Sequence, residues 1–389
     1  MGLKAAISRT VSGAITSATL RGLLRARAAF SRRILGGKPR VHYFHQWGDP
    51  YSALAAAALD PLRARYDIDI QCHCVSPPDA AAAPEAERLA LLAVRDAALL
   101  AKGLGIAPLG DPTRAGVPAD SADARAEGDA LRAKLGHYLG GMFYYESEWY
   151  WGLDRLDFLE TRLTPFRKAN VSKGTVAPRR EVVLAPVGAH ARKPVFDFFL
   201  SFRSPYTYLA VPRVTALARH YGADLRLRFV LPMVMRGLPV PPSKRLYIVK
   251  DAKREAERLG IPFGRIVDPV GAGAERGLSV LHHAVRAGRG EEFALSFLQG
   301  AFADGIDAAS DDGLLSMVTR AGLDAGLMRA ALKDDSWRAV AEANRTELFS
   351  HGLWGVPSFR VDSGAAHWGQ DRLWVIEEEL RAAAEGKNP

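Results

Sequence analysis

The chain has 389 residues, of which 48% are hydrophobic and 24% charged, a composition that excludes a disordered polymer and leaves room for about two or three domains. Its formal net charge is +9, yet the excess sits at one end: residues 1–40 hold nine Lys or Arg and no Asp or Glu, while residues 41–389 carry 43 of each sign. The bulk of the chain is therefore neutral, which argues against a nucleic-acid partner.

Residues 1–38 read as a basic N-terminal arm. Leu3, Ile7 and Val11 fall at helical spacing, and Leu20, Leu23, Leu24 and Phe30 follow. No apolar run reaches the roughly eighteen residues of a membrane span. Three readings stay open: an interfacial basic helix for anionic lipid, an organelle-type presequence, or a surface helix with no partner. The expected location is cytoplasmic, either free or peripheral at a membrane.

Residues 39–167 form the first candidate domain. "VHYFHQWGDPYSALAAAALDPL" at 41–62 reads as strand, turn and Pro-led helix. "DIDIQCHCVSPP" alternates like a strand, with the chain's two cysteines, Cys72 and Cys74, on one face and His73 on the other. A lone C-x-C pair makes no structural zinc site, so no metal is expected, and no C-x-x-C occurs. A short helical insertion, about 78–135, precedes "LGGMF" and the hairpin-to-helix stretch "YYESEWYWGLDRLDFLE". Residues 168–193 are a polar connector bearing Pro and Gly.

The second candidate domain, 194–389, repeats the order. A strand (195–200) leads through "SFRSPYTYLAVP" into a helix (205–221), then "DLRLRFVL" alternates as a strand. A helical region of about 244–350 follows, then "GVPSFRV", a hairpin around Ser363–Ala365, and a last helix from Gln370. The halves share W-G-x-D-R-L before their final helices, and Asp49-Pro50-Tyr51 aligns with Ser204-Pro205-Tyr206. The expected fold is α/β: two tandem thioredoxin-like domains, each with an inserted helical subdomain, preceded by the basic helical arm.

Through "DFFLSFRSPYTYLA", "KRLYIVKDAKREAERLGIPF", "GVPSF" and "WGQDRL", residues 194–380 resemble the 2-hydroxychromene-2-carboxylate isomerase and kappa-class glutathione transferase family, within the DsbA-like thioredoxin-fold superfamily. The first half resembles it weakly, as a degenerate copy. The resemblance implies glutathione as bound cosubstrate. It sets Ser204 beside the glutathione sulfur as the catalytic residue, Val356 on the cysteinyl backbone, and Pro357 as the cis proline of that loop. Gln370 and Asp371 would receive the γ-glutamyl group, and Lys244 is the nearest candidate for the glycyl carboxylate. Helix N-terminal amides and a hydroxyl donor both favour a thiolate. Arg203 adds a cation near the sulfur, whereas His282 and His283, on a helix of the insertion, read as structural or solvated. In the first half Asp49 replaces the serine, and Gly140-Gly141 replace Val-Pro.

Three functions compete. The first is a glutathione-dependent isomerase or transferase acting on a small electrophilic aromatic or conjugated substrate: thiolate adds to a double bond, rotation follows, and thiolate leaves. The second is a thiol–disulfide oxidoreductase, disfavoured because no C-x-x-C is present. The third is a DsbA-like binding or scaffold protein that uses the arm as an anchor. Either a monomer or a homodimer fits the sequence.

Overall fold

The structure, a computed structural model, describes residues 3–34, 36–186, 188 and 191–387. Met1, Gly2 and Leu35 of the predicted arm, and residues 187, 189 and 190 of the connector, lie outside the described residues. The chain divides into two compact units. The N-domain comprises Ala18–Glu181 with Val240–Tyr247; the C-domain comprises the chain up to Ser17, Val182–Pro239 and Ile248 onward. The arm, read from sequence as one segment, is thus shared: helix α1 (Leu3–Ile15) belongs to the C-domain and α2 (Ala18–Ile34) to the N-domain.

In the N-domain, β1 (Arg40–His45) leads through α3 (Pro50–Ala56) and α4 (Leu59–Arg65) to β2 (Asp69–Cys74). Helices α5 (Ala86–Leu104) and α6 (Ala122–Lys134) make the insertion. Strands β3 (Met142–Tyr145) and β4 (Glu148–Trp151) and helix α7 (Leu156–Leu163) close the unit. The sheet order is β2-β1-β3-β4, with β1 parallel to β2 and the other pairs antiparallel. The parallel pair needs a crossover, which α3 and α4 supply. Alternation along the strands sends Val41, Tyr43 and Phe143 into one core with Leu54, Leu62 and Leu156, and sends Phe44 and Met142 to the other face with Val75 and Trp149. Both cysteines are free thiols on β2.

In the C-domain, β5 (Val195–Leu200), α8 (Pro205–His220) and β6 (Asp224–Phe229) repeat the parallel unit. The insertion is longer: α9 (Pro242–Leu259, of which the part from Ile248 onward belongs to this unit), α10 (Ala272–Arg286), α11 (Gly290–Gln299), α12 (Asp311–Arg320), α13 (Ala325–Ala331) and α14 (Trp337–Ser350). Strands β7 (Ser358–Val361) and β8 (Ala366–Trp368), a short 3-10 turn at Gln370–Arg372 and α15 (Leu373–Ala384) complete it. The sheet order, β6-β5-β7-β8, matches that of the N-domain. Equivalent backbone bonds recur: Asp69 donates to the Pro39 carbonyl as Asp224 does to Pro194, and Gly152 donates to Gly141 as Gly369 does to Pro357. Two four-stranded α/β sheets of one thioredoxin-like topology therefore stand in the order expected from sequence.

Candidate functional site

Strand β5 is apolar to its end, so burial fixes where the turn begins. Phe202 is fully buried and stacks on Phe297 with ring centroids 4.0 Å apart. Gly277 on α10 allows that packing, because a Cβ there would lie 2.4 Å from Phe297 and 2.8 Å from Phe202. With the turn pinned, Ser204 takes the extended conformation of a helix N-cap and Pro205 occupies the first turn of α8. Ser204 Oγ accepts the Thr207 N–H at 3.1 Å and donates to the Val356 carbonyl at 3.3 Å. The hydroxyl thus joins the start of α8, the positive end of its dipole, to the loop opposite.

That loop contains a cis Val356–Pro357 peptide bond. Gly355 lies against the Trp368 indole, where a Cβ would come within 2.3 Å of the ring. The Ser358 hydroxyl donates to the Gly355 carbonyl at 2.8 Å, and the Gly369 N–H to the Pro357 carbonyl at 2.9 Å. The loop is therefore fastened to the turn that carries Gln370 and Asp371. Gln370 is 1% exposed. Its carbonyl oxygen accepts from Arg213 of α8 at 2.6 Å, and its amide nitrogen donates to Asp371 Oδ1 at 2.7 Å and to Glu255 Oε2 at 3.4 Å. Gln370 consequently orients the half-buried Asp371 from below. Ser204, Val356, Pro357, Gln370 and Asp371 form one connected set.

Lys244 is not in that set. It belongs to the N-domain, where its ammonium donates to the Ala82 carbonyl at 2.8 Å and burial lowers its pKa. The Arg203 guanidinium is engaged in a bidentate pair with Asp268, at 2.8 and 2.7 Å, so the cation expected near the sulfur is largely neutralised. His283 pairs with Asp334 at 2.9 Å and His282 contacts the Ser336 hydroxyl at 3.3 Å, both within the helical insertion. Sequence reasoning missed Arg213, Trp368 and Asp268. Arg213 and Asp268 carry no motif of their own, but Trp368 belongs to the repeated W-G-x-D-R-L.

The equivalent turn of the N-domain is closed. Asp49 caps α3, accepting from the Ser52 N–H at 2.9 Å and the Ser52 hydroxyl at 2.7 Å, and burial raises its pKa. Gly140 and Gly141 replace the Val–Pro pair and let the loop descend onto the turn. A Cβ at 140 would stand 2.4 Å from Gln46 Cβ, and one at Gly141, whose φ is +65°, 3.4 Å from Ser52 Oγ. A residue with a buried carboxylate and a collapsed loop offers no seat for a thiolate.

Residues 195–381 match the model of the DSBA-like thioredoxin domain family, in keeping with the thioredoxin-like topology of the C-domain. Among curated proteins, the 2-hydroxychromene-2-carboxylate isomerase of Sphingobium xenophagum is 27% identical over 196 residues, 47% of this chain and 96% of that protein. The protein of the same name from Pseudomonas sp. (strain C18) is 26% identical over 198 residues, 49% of this chain and 91% of that one. Among solved structures, a 2-hydroxychromene-2-carboxylate isomerase shares 20% identity with a TM-score of 0.43, covering 49% of this chain and 97% of its own. The cytosolic disulfide reductase DsbM from Pseudomonas aeruginosa with GSH shares 18% identity with a TM-score of 0.37, covering 49% and 98%. The curated relatives are thus isomerases by name, and each matches about half of this chain.

Proposed function

We propose that the C-domain binds glutathione between the start of α8 and the Val356–Pro357 loop and serves as a glutathione-dependent isomerase or transferase for a small conjugated electrophile. One observation carries this reading: a serine hydroxyl, not a cysteine, occupies the N-cap of α8 and faces the cis-proline loop. The domain has no cysteine, so it needs a thiol brought to it. The donor set fits a thiol ligand: a hydroxyl whose one proton rests on the Val356 carbonyl and can turn to an anion, the start of a 16-residue helix, and the loop backbone at Val356. Bound glutathione would supply the thiolate that adds to, and later leaves, the substrate double bond.

The chain's own residues have separate tasks. When the thiol is bound, Ser204 turns its one proton from the Val356 carbonyl to the anionic sulfur and so favours the ionised thiol near neutral pH. Val356 presents its backbone to the cysteinyl unit, and Pro357 fixes that loop. Asp371, held by Gln370, offers a carboxylate to an ammonium group. Lys244 is assigned no part, because its ammonium is used within the N-domain.

The name of the curated relatives favours the isomerase branch, since a conjugated 2-hydroxychromene carboxylate is an electrophile of this kind. The test is a thermal melt of the full chain with and without saturating reduced glutathione. A ligand that binds only the native state raises the melting temperature by mass action. A rise that S-methylglutathione, which lacks the ionisable thiol, only partly reproduces supports the reading. No shift with either ligand overturns it in favour of a scaffold.

A further inference from the structure

Both arm helices are mounted inside out. On α1, polar side chains face the rest of the C-domain: Ser8 Oγ donates to the Ile266 carbonyl at 3.0 Å and Ser12 Oγ accepts the Ile266 N–H at 2.9 Å, and just past the helix end Thr16 Oγ1 donates to the Gly264 carbonyl at 3.2 Å. Ile7 and Val11, at i and i+4 on another face, are more than half exposed. On α2 the cations face the N-domain. Arg25 forms a bidentate pair with Glu148 at 2.6 and 2.9 Å, and Arg32 pairs with Glu146 and lies over the Phe166 ring at 4.9 Å. Leu23, Phe30 and Ile34 point away, each between 63% and 68% exposed. An amphipathic helix on a soluble domain ordinarily turns its apolar stripe inward. Here the inward side is saturated with polar bonds and the stripe is left outside.

Charge indicates what could cover it. Arg27 sits within the apolar stripe of α2, four residues after Leu23 and three before Phe30, and Arg33 adjoins Ile34; both are exposed. No acidic residue occurs in the first 40 positions. Pairing two copies of this face would bring like charges together, which is unfavourable. A surface with an apolar interior and an anionic skin satisfies both features at once. We propose that the outward face of α2, carried by the N-domain, docks on an anionic lipid surface. No part of the chain needs to cross the bilayer: among the described residues no helix is long and apolar enough to do so.

The experiment is co-sedimentation of the full chain with vesicles of phosphatidylcholine containing phosphatidylserine, compared with phosphatidylcholine alone, over a salt series. Two double variants accompany it: Leu23→Ser with Phe30→Ser, and Arg27→Gln with Arg33→Gln. All four residues are exposed, so the variants should melt like the parent chain. We expect retention on the anionic vesicles only, release as salt rises, and a partition coefficient about tenfold or more lower for each double variant. Equal retention of parent and variants, or equal binding to both vesicle types, overturns the proposal. So does absence of vesicle binding with a sedimentation-velocity dimer that Leu23→Ser with Phe30→Ser dissolves, which would assign the face to a second copy.

Discussion

The Tyr206 hydroxyl donates to Asp251 Oδ2 at 2.7 Å, tying the first turn of α8 to the insertion helix α9. The N-domain makes the same bond with the same spacing of 45 residues, Tyr51 to Asp96 at 2.6 Å. A second pair recurs between the end of the crossover helix segment and the last helix: Tyr66 donates to Glu160, and Tyr221 to Glu377. These bonds set the direction in which each Pro-led helix leaves its sheet. In the C-domain that direction also sets where Ser204 points.

Asp251 is 1% exposed, so losing a donor leaves a buried carboxylate less well satisfied. Tyr206→Phe is expected to lower stability by about 1.5–3 kcal/mol, the range for a hydrogen bond to a charged group. Urea denaturation of the full chain measures it. A midpoint equal to the parent's would mean that the contact is incidental.

The histidines of the N-domain predict a pH dependence. His45 is 2% exposed, contacts the Tyr43 hydroxyl at 3.0 Å, and is pushed by burial from 6.5 to about 4; His73 moves the same way to about 4. The fold holds them neutral, whereas the unfolded chain protonates them below 6.5. Their stabilisation is complete above 6.5 and is lost as the pH falls from there towards 4. For the deeply buried His45 the swing is on the order of 3 kcal/mol. His45→Gln should flatten the decline in the stability of this domain over that interval, and an unchanged slope would remove His45 from the account.

Asp49 has the opposite sign. Burial raises its carboxyl above the usual 3.8, so its favourable contribution is present below that value and lost as the pH rises through the raised one. Asp49→Asn keeps an acceptor for the Ser52 N–H while removing the buried charge. The variant should melt higher than the parent at neutral pH and equally in acid. A lower melt at neutral pH would show that the carboxylate is needed as a cap.

Gly355 tests how the cis-proline loop is held. Gly355→Ala would force a methyl group against the Trp368 indole. Over-packing of this sort costs about 1–3 kcal/mol. Glutathione affinity should fall in parallel with stability, because the loop carrying Val356 must shift. Full retention of both would mean that the Trp368 ring moves aside freely.

Much of this site was legible before any coordinates. The strand–turn–helix at 195–221 announces itself through an apolar run, a hydroxyl and a helix-initiating proline, each a local signal. "GVPSF" and W-G-x-D-R-L are local as well, and their order in both halves exposes the repeat. What stayed hidden depends on three-dimensional pairing. Arg203 read as a free cation because Asp268, 65 residues away, leaves no trace in the turn. Gln370 read as a ligand-facing amide because nothing local shows Arg213 reaching it. The arm's hydrophobic pattern was plain, but which face would be turned inward depended on Ile266 and Gly264, some 250 residues later.

The central claim is that Ser204 stabilises a bound thiolate and does not merely cap α8. The decisive measurement is the ultraviolet titration of glutathione bound to the full chain, parent against Ser204→Ala, together with the rate of thiol addition to a model electrophile. The account predicts a higher thiol pKa in the variant and a rate lower by roughly ten- to a hundredfold, the size of about one charge-assisted hydrogen bond. Glutathione affinity should change little, since Val356 and Asp371 remain. An unchanged thiol pKa and full rate, with only a lower melting temperature, would contradict it and leave Ser204 as a helix cap.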